Sequence, residues 1–410
     1  MQADKKLKLT PSERRASVAL AGLFAARMLG LFLLLPVFAV AASGMPGGDD
    51  PARVGLALGM YGLTQAFMQI PFGLASDRWG RRPVVLWGIA MFTLASAGCA
   101  LSQSIGQLIL FRALQGLSTG AGIVVSRAVI RDMFPPARAQ QVMSQVTIYF
   151  GVAPAIAPII GGWLFVHTGW HSIFWFLTLV GVVLWVANFR LLPETLQPEL
   201  RQPFNVPHLM RGYWQLGGSP RFVLLALASG VPFNGFFLYV LSAPAFLGDH
   251  LGLGPTQFFW LFLLTIAGIM GGAWVSGRLA GRIAPKRQIR HGLLIMTVVS
   301  IANVVANLLL PAHVGWALLP VGIYAFGWSL MVPVVTLLVL DLYPLRRGLA
   351  SSLQAVVGST ANGLVAGVLA PLVMHSTAAL ALGSAALMAI GLLSWIYLHH
   401  RWPEIGRTAA

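Results

Sequence analysis

Two arginines fall inside long apolar stretches of the sequence, where a charge has no obvious partner. Arg27 lies about a dozen residues into the first stretch, close to the bilayer centre at a helical rise of about 1.5 Å per residue. Arg112 lies within the fourth stretch. Because a charge at such depth costs at least ~2.5 kcal/mol, it usually faces a polar cavity and is functional. We expect both to line a substrate cavity; the alternatives are that Arg27 snorkels to the interface and that Arg112 bonds to backbone carbonyls.

Uncharged polar and aromatic side chains inside the stretches complete this candidate cavity. Aromatic rings on the seventh and tenth stretches form an adaptable apolar wall for hydrophobic compounds, or else face lipid and core. These rings are Phe233, Phe236, Phe237, Tyr239, Tyr324, Phe326 and Trp328. The other cavity candidates are Gln65, Gln69, Gln115, Tyr149, Asn234 and Gln354.

The acidic residues show where a proton carrier can lie. All eleven fall in loops, tails or helix ends, at Asp4, Glu13, Asp49, Asp50, Asp77, Asp132, Glu194, Glu199, Asp249, Asp341 and Glu404. If protons drive transport, the titrating group is therefore peripheral, and Asp77, Asp132 and Asp341 are the best candidates. Otherwise the chain is a facilitator, or it prefers anions that pair with Arg27 and Arg112.

These residues need a membrane-spanning scaffold. Of the 410 residues, 57% are hydrophobic and only 9% are charged, and such a chain would aggregate in water. Each apolar stretch is long enough to cross a hydrocarbon core as a helix. We predict an all-α integral membrane protein with twelve spans in two pseudo-symmetric six-helix bundles. The spans lie near residues 16–42, 53–75, 84–101, 106–130, 140–166, 171–191, 221–247, 256–280, 290–310, 315–341, 348–373 and 377–398.

Lysine and arginine alternate between the loops. Basic residues gather at both termini and in every second loop, whereas the opposite loops carry one arginine, Arg53. By the positive-inside rule, the basic loops and both termini are cytoplasmic. The formal net charge of +16 is then a signal of topology, and we expect no nucleic-acid partner.

Several kinds of chemistry lack the residues they require. The lone Cys99 excludes a disulfide framework or a cysteine metal site, and the histidines show no metal-ligand spacing. The sequence has no Gly-rich phosphate-binding loop, which argues against an ATP-driven pump. A membrane-embedded enzyme is a remote alternative, because no intramembrane His-rich, Asp-Asp or Ser-His arrangement occurs. We expect no metal, no cofactor and no enzymatic activity.

A polar segment and an internal repeat divide the chain. The segment 192–220 is the longest polar stretch and separates six predicted spans from six, which gives domains at 1–191 and 221–410 joined by a cytoplasmic linker. The motif at 73–78 is echoed at 277–282, with Gly281 where the first copy has Asp77. Parallel six-helix halves of this kind place a substrate site between them near the midplane.

The loop after the second span carries the most specific motif. It follows the pattern Gly, three residues, Asp-Arg, one residue, Gly-Arg-Arg, and reads Gly73-Leu74-Ala75-Ser76-Asp77-Arg78-Trp79-Gly80-Arg81-Arg82. This resembles the signature loop of the major facilitator superfamily. Leu108, Arg112, Gln115, Gly116 and Gly120 resemble that family's second motif.

The resemblance implies a cytoplasmic latch between the halves. Asp77 is expected against the positive start of the eleventh span near Gly348, Ser351 and Ser352. Either Arg81 or Arg82 is expected to pair with Asp132. The predicted gating and coupling residues are Gly73, Asp77, Arg78, Gly80, Arg81, Arg82, Asp132 and Asp341.

The fifth span is rich in glycine and proline. Its residues Gly151, Pro154, Pro158, Gly161 and Gly162 resemble the family's antiporter motif, with Ala157 in place of a glycine. Such residues bend a helix and admit a close neighbour, so they are expected to form a hinge; the alternative is a kinked packing helix.

Together the motifs resemble the bicyclomycin-resistance type of multidrug efflux protein, although Ala26-Arg27-Met28-Leu29-Gly30 in the first span is similar to another efflux subgroup. The resemblance implies a monomeric, proton-coupled exporter of small amphipathic compounds in the bacterial inner membrane, with alternating access as its mechanism. The transport alternative is a facilitator or uptake carrier for a small anionic metabolite.

Overall fold

A computed structural model describes residues 11–34, 37–42, 44–202, 206–254 and 257–406. These residues are helical and contain no strand. The first group of helices is α1 Pro11–Phe32, α2 Phe38–Ala42, α3 Pro51–Trp79, α4 Arg81–Ala100, α5 Ile105–Met133, α6 Pro136–Thr168, α7 His171–Leu191 and α8 Val206–Gly217. The second is α9 Pro220–Leu241, α10 Phe259–Leu279, α11 Pro285–Leu309, α12 Val314–Leu342, α13 Arg347–Leu364, α14 Ala370–Val373 and α15 Thr377–Arg401.

Ten segments of the described chain are long and apolar enough to cross a membrane. They are α4 to α7, α9 to α12, the segment Arg347–Val373, and α15. The 29 residues of α3 could also span a bilayer at about 1.5 Å per residue, but Thr64, Gln65 and Gln69 make this helix more polar. The predicted all-α membrane fold is confirmed, whereas the count of twelve spans stays a prediction.

The first predicted span is wrong as one continuous helix. It was expected from residue 16 to residue 42, but α1 ends at Phe32 and α2 begins at Phe38. The sequence has Pro36 in between, and proline lacks the N–H donor of a helix and disfavours helical backbone in the residue before it. Pro36 itself lies outside the described residues.

The chain forms two compact units. Unit 1 comprises Met1–Arg138, Val152–Leu209 and Leu345–Ser352, and unit 2 comprises Ala139–Gly151, Met210–Pro344 and Leu353–Ala410. In unit 1, α3 and α4 pack on α5, and α7 packs on α4 and α1. In unit 2, α10 and α11 pack on α12, and α9 packs on α15 and α12.

Small residues set the spacing of α3 and α5. A Cβ atom at Gly116 of α5 would meet the backbone oxygen of Tyr61 and the hydroxyl of Thr64 on α3. Gly62 of α3 instead faces open space, with no atom within 4 Å of such a Cβ. The first glycine is therefore required by packing, whereas the second is not.

We expect Gly116→Ala to destabilise the protein and the control Gly62→Ala to leave it unchanged or stabilise it. The first change forces two backbones apart, at a cost of about 1–3 kcal/mol, while alanine at an open helical site is preferred over glycine by about 0.5–1 kcal/mol. Thermal unfolding in detergent can be followed through Cys99, the lone cysteine, which is buried. Equal midpoints for both variants would contradict the packing role of Gly116.

Candidate functional site

A carboxylate is buried in the last turns of α3. Asp77 is 3% exposed, and its Oδ1 and Oδ2 accept the backbone N–H groups of Gly348 at 3.0 Å and Leu349 at 2.9 Å. These donors belong to the first turn of α13, where N–H groups have no partner within the helix and carry partial positive charge. The structure therefore places Asp77 at the helix start where the sequence analysis expects it.

Arg81 joins Asp77 to a second acid. Its Nη1 donates to Asp77 Oδ1 at 2.6 Å and to Ser76 Oγ at 2.8 Å, while its Nε donates to Asp132 Oδ2 at 3.1 Å. Arg347 Nη1 donates to the other oxygen of Asp132 at 2.6 Å. Two acids and two arginines thus form one neutral chain of ion pairs, the condition under which buried charges are stable.

The structure selects between the two arginines proposed for Asp132. Arg81 makes that pair, whereas Arg82 Nη2 donates to the carbonyl of Phe189 at 2.7 Å. The guanidinium carbon of Arg82 also lies 5.1 Å from the centroid of the Phe189 ring. Arg82 is therefore directed to the end of α7.

Glycines bring the helix ends of this site together. A Cβ atom at Gly73 would lie 2.6 Å from the carbonyl oxygen of Gly348, so the α3 and α13 backbones are in close approach. Gly80 has a φ of 102°, which L side chains rarely adopt, and it separates α3 from α4. The start of α4 is capped by Glu194, whose carboxylate accepts the N–H groups of Arg81 at 2.9 Å and Arg82 at 3.2 Å.

Three predicted site residues lie at exposed positions. Arg78 is exposed and donates to the carbonyl of Gln202 at 3.5 Å. Asp341 is exposed near the end of α12 in unit 2. Tyr149 is 47% exposed on α6. Arg78 bonds to a backbone carbonyl and is not a member of the ion-pair chain of Asp77, Arg81, Asp132 and Arg347.

Arg112 is fully buried and its Nη1 is bonded to protein groups, while its Nη2 meets no acceptor among the described residues. Its Nη1 donates to the carbonyl of Gly30 and to Gln115 Oε1, both at 2.8 Å, and its guanidinium carbon lies 4.6 Å from the Tyr61 ring centroid. Gln115 in turn donates to Ser96 Oγ at 2.7 Å. This network links α1, α3, α4 and α5, and it favours the alternative in which Arg112 bonds to backbone carbonyls.

Arg27 has a different environment in the same unit. It lines a small cavity between α1, α4, α5 and α7, and its buried Nε has no hydrogen-bond partner among the described residues. Ser118 and Thr119 supply the hydroxyl groups of a lining that is otherwise apolar. Arg127 on α5 is close enough for the two like charges to repel each other. Arg27 is therefore a cation with unused donors facing a cavity.

Two predicted glutamines lie on α3 in unit 1. Gln65 and Gln69 are 3% and 2% exposed. The Nε2 of Gln65 is buried and makes no hydrogen bond within the part of the chain that is described. Like Arg27, Gln65 thus retains a buried donor that a polar ligand can occupy.

Unit 2 holds a smaller cavity with a partly polar lining. Asn303 Nδ2 donates to the hydroxyl of Tyr239 at 2.7 Å, and Asn307 Nδ2 donates to Asn303 Oδ1 at 3.0 Å. The hydroxyl of Tyr324 donates to the carbonyl of Pro232 at 3.0 Å. Both tyrosines line the cavity, together with Gly235, Phe236, Val299, Ser300, Asn303, Pro320, Val321 and Ser384.

Two more of the predicted residues in unit 2, Trp328 and Gln354, are bonded to neighbouring helices. Trp328 Nε1 donates to the carbonyl of Ser229 at 3.0 Å. Gln354 Nε2 donates to the hydroxyls of Ser229 at 3.1 Å and Thr336 at 3.3 Å. Asn234 is buried and donates to a carbonyl one turn back in α9 at 3.2 Å. Trp328 and Gln354 therefore hold α9, α12 and α13 together, whereas Asn234 bonds within its own helix.

The predicted aromatic wall forms a cluster between α9 and α12. The Phe233 centroid lies 4.9 Å from that of Phe236 and 5.1 Å from that of Trp328. Phe237 stacks on Phe233 at 5.2 Å, and Tyr324 lies 6.4 Å from Phe236. Phe326 is directed elsewhere, toward Gly271 of α10.

All five residues of the predicted hinge lie in the continuous helix α6, namely Gly151, Pro154, Pro158, Gly161 and Gly162. A Cβ atom at Gly161 would meet the backbone of Leu33, whereas one at Gly162 would meet nothing within 4 Å. The boundary between unit 2 and unit 1 falls between Gly151 and Val152, two residues before Pro154. The hinge itself stays a prediction.

A neutral network in unit 2 was missed by sequence reasoning. Gln140 of α6 donates to the carbonyl of Ser276 and to Gln288 Oε1, both at 2.9 Å, and Gln288 donates to Ser276 Oγ at 2.7 Å. This network lies where α10 ends and α11 begins. The same region holds the second copy of the motif that contains Asp77 in unit 1. Gly281 has a φ of 72° there, in a turn after α10 has ended.

Two charged residues of the ion-pair region were also missed, although the sequence carries a signal for each. Arg347 is the first residue of α13, where the helix dipole disfavours a cation, so an acidic partner was to be expected. Glu194 caps α4, which begins directly after Gly80 without a side-chain cap of its own. The paired glutamines Gln140 and Gln288 have no comparable signal.

We expect a double-mutant cycle to show strong coupling between Asp132 and Arg347. Their side chains are 8% and 18% exposed, so removing either leaves a poorly solvated charge, and a coupling of about 1–3 kcal/mol is expected. The control pair Asp50 and Arg53 is 48% and 59% exposed and should couple by less than about 1 kcal/mol. The free energy of unfolding in detergent micelles measures both cycles. Equal coupling in the two pairs would contradict a structural role for the buried pair.

Known proteins resemble the chain over most of its length. It matches the Major Facilitator Superfamily over residues 19–371. It is 26% identical over 376 residues to a bicyclomycin resistance protein homolog of Haemophilus influenzae, covering 91% of this chain and 93% of that protein. It is 29% identical over 361 residues to multidrug resistance protein D of Escherichia coli, covering 85% and 87%. The resemblance to this type of efflux protein is confirmed.

Two further comparisons concern part of the chain and its fold. Over 185 residues the chain is 40% identical to inner membrane transport protein YajR of Escherichia coli, covering 44% of this chain and 40% of that protein. The solved proton:xylose symporter XylE superposes with a TM-score of 0.77 at 14% identity over 97% of each chain, a likeness of fold. Because the family match spans most of the sequence, the protein belongs to the Major Facilitator Superfamily and is a multi-pass membrane transporter, not an enzyme.

Proposed function

We propose that the protein exports small amphipathic compounds by alternating access and exchanges them for protons. The observation that carries this proposal is the buried carboxylate of Asp77 at the start of α13. Protonation would remove its charge and turn one carboxyl oxygen into an O–H donor, which would weaken its bonds to the N–H groups of Gly348 and Leu349 and its pair with Arg81. A proton arriving at Asp77 would therefore release α13 from the end of α3.

The charged groups around Asp77 suit a switch of this kind. Arg81 is shared between Asp77 and Asp132, and Arg347 binds the second oxygen of Asp132. When Asp77 is neutral, Arg81 retains Asp132 as its partner, so no charge is stranded. The chain of ion pairs can then loosen at α13 while α3, α4 and α5 stay connected.

An amphipathic cargo is supported by two features. The aromatic cluster of α9 and α12 includes two partly exposed rings, Phe233 and Phe237, which suit contact with a hydrophobic compound. The relatives with resistance names align over most of the chain. Within this proposal the transport domains are 1–191 and 221–410 joined by the cytoplasmic linker 192–220, with both termini cytoplasmic and a monomer as the working unit.

Transport of a small anion is a second candidate, favoured by Arg27. This cation keeps an unused Nε beside its cavity, and Arg127 adds a second positive charge nearby. An anionic substrate would neutralise both without a carboxylate from the protein. This candidate requires no proton coupling.

We expect an imposed pH gradient to drive movement of a cationic dye by the reconstituted full chain. Asp77→Asn should abolish this coupling between dye movement and the gradient. The amide cannot release a proton, so dye movement should become insensitive to the gradient. Asp49→Asn, which changes an exposed loop acid, is the matched control and should behave as the unaltered protein. Dye fluorescence in liposomes, with and without the gradient, measures each variant.

The same liposomes distinguish the two candidates when loaded with a panel of small anions. Anion movement that ignores the gradient and is lost in Arg27→Gln, but not in the exposed control Arg53→Gln, would establish the second candidate and overturn proton-coupled export. Dye movement that Asp77→Asn leaves gradient-driven would overturn the assignment of Asp77.

A further inference from the structure

A groove opens at one end of α4, α5 and α7 in unit 1. Its volume is about 440 Å³, and two arginines, Arg82 and Arg190, lie in its wall. All three helices are among the ten that can cross a membrane, so their ends lie at the level of the lipid headgroups. The rest of the lining is apolar and consists of Met133, Phe189, Leu191, Leu192 and Pro193.

Arg82 is held in a fixed orientation with donors to spare. Its bond to the carbonyl of Phe189 at 2.7 Å and its position over that ring keep the guanidinium in place. Of its five N–H donors this bond occupies one, and the buried Nε meets no acceptor within the described chain. A buried guanidinium donor without a partner is costly unless a ligand supplies the acceptor.

The positive charge of the groove is not cancelled by protein acids. Arg190 is exposed in the last turn of α7 and forms no ion pair with any residue the structure describes. Glu194 follows the groove residue Pro193 in sequence, but its carboxylate accepts the backbone N–H groups of Arg81 and Arg82 and so neutralises the start of α4. Two guanidinium groups therefore remain for an anion.

An exposed apolar face leads away from the groove along α7. Its residues are spaced three or four apart, which places them on one side of the helix. They range from 39% to 61% exposed, so a long apolar chain can lie against them. The face consists of Leu179, Val182, Val183, Val186 and Phe189.

We propose that this groove binds the phosphate of an anionic phospholipid, with an acyl chain along the exposed face of α7. The planar fork of arginine matches phosphate oxygens in a bidentate manner. Basic pockets between spans on the cytoplasmic side suit anionic headgroups, and the positive-inside pattern assigns this end of the helices to that side. The lipid satisfies the free donors of Arg82 and Arg190 and covers the apolar lining, which a free phosphate ion would leave in water.

The test is a lipid titration of the delipidated full chain in detergent, read by native mass spectrometry. We expect dioleoylphosphatidylglycerol to bind about tenfold more tightly than dioleoylphosphatidylcholine, which has the same acyl chains. Arg190→Gln should remove that preference, and Arg82→Gln should do the same. Arg287→Gln, an exposed arginine at the start of α11 and outside the groove, is the matched control and should keep the preference.

Arg190→Gln alters an exposed side chain, so the test stands even where Arg82→Gln fails to fold. Equal affinities for the two lipids would overturn the proposal. An equal loss in Arg190→Gln and Arg287→Gln would also overturn it, since the preference would then reflect overall surface charge. Displacement of phosphatidylglycerol by millimolar inorganic phosphate would assign the groove to a soluble anion instead.

Discussion

A charge stays buried in an apolar chain only where other charges and hydrogen-bond donors replace water. Asp77 meets this condition with two N–H groups of α13 and the guanidinium of Arg81. Arg81 reaches on to Asp132, which Arg347 completes. Arg81 is shared between two acids and Asp132 between two arginines, so the ends of α3, α4 and α5 and the start of α13 depend on one another. The inclusion of 345–352 in unit 1, more than two hundred residues from α5, follows from this requirement.

Unit 2 meets the corresponding requirement without charge. Its repeat of the motif has Gly281 where unit 1 has Asp77, and the turn that begins after α10 uses the positive φ that glycine permits. Gln140, Gln288 and Ser276 satisfy the buried polar groups there through neutral hydrogen bonds. Amides and hydroxyls carry no charge, whereas carboxylates and guanidinium groups do. The two networks therefore hold corresponding helix ends by different means, ion pairs in unit 1 and neutral hydrogen bonds in unit 2.

Features that follow from a short motif could be predicted from the sequence, whereas features set by packing between distant residues could not. The position of Asp77 followed from a local rule, because an acid in a short motif and a helix start elsewhere attract each other whatever the details of packing. The choice between Arg81 and Arg82 did not follow from such a rule. Adjacent residues at the start of a helix are directed to different sides, and only packing decides which of them meets Asp132. Pro36 signals a helix break before Phe38, but the length of the apolar stretch 16–42 favours a single continuous span. The amide pair of Gln140 and Gln288 joins residues far apart in sequence that have no charge to mark them.

Arg27 and Arg112 show the same limit within a single unit. Both are cations in apolar stretches, and the sequence predicts for both a place in the wall of a substrate cavity. The difference lies in their acceptors: Arg112 binds the carbonyl of Gly30, and Tyr61, which stacks against Arg112, donates to the carbonyl of Arg27 at 3.0 Å. These two bonds fix the α1 backbone at residues three apart, and the missing side chain of Gly30 leaves room for the Tyr61 ring. Arg112 therefore contributes to the position of Arg27, whose side chain is left to face the cavity.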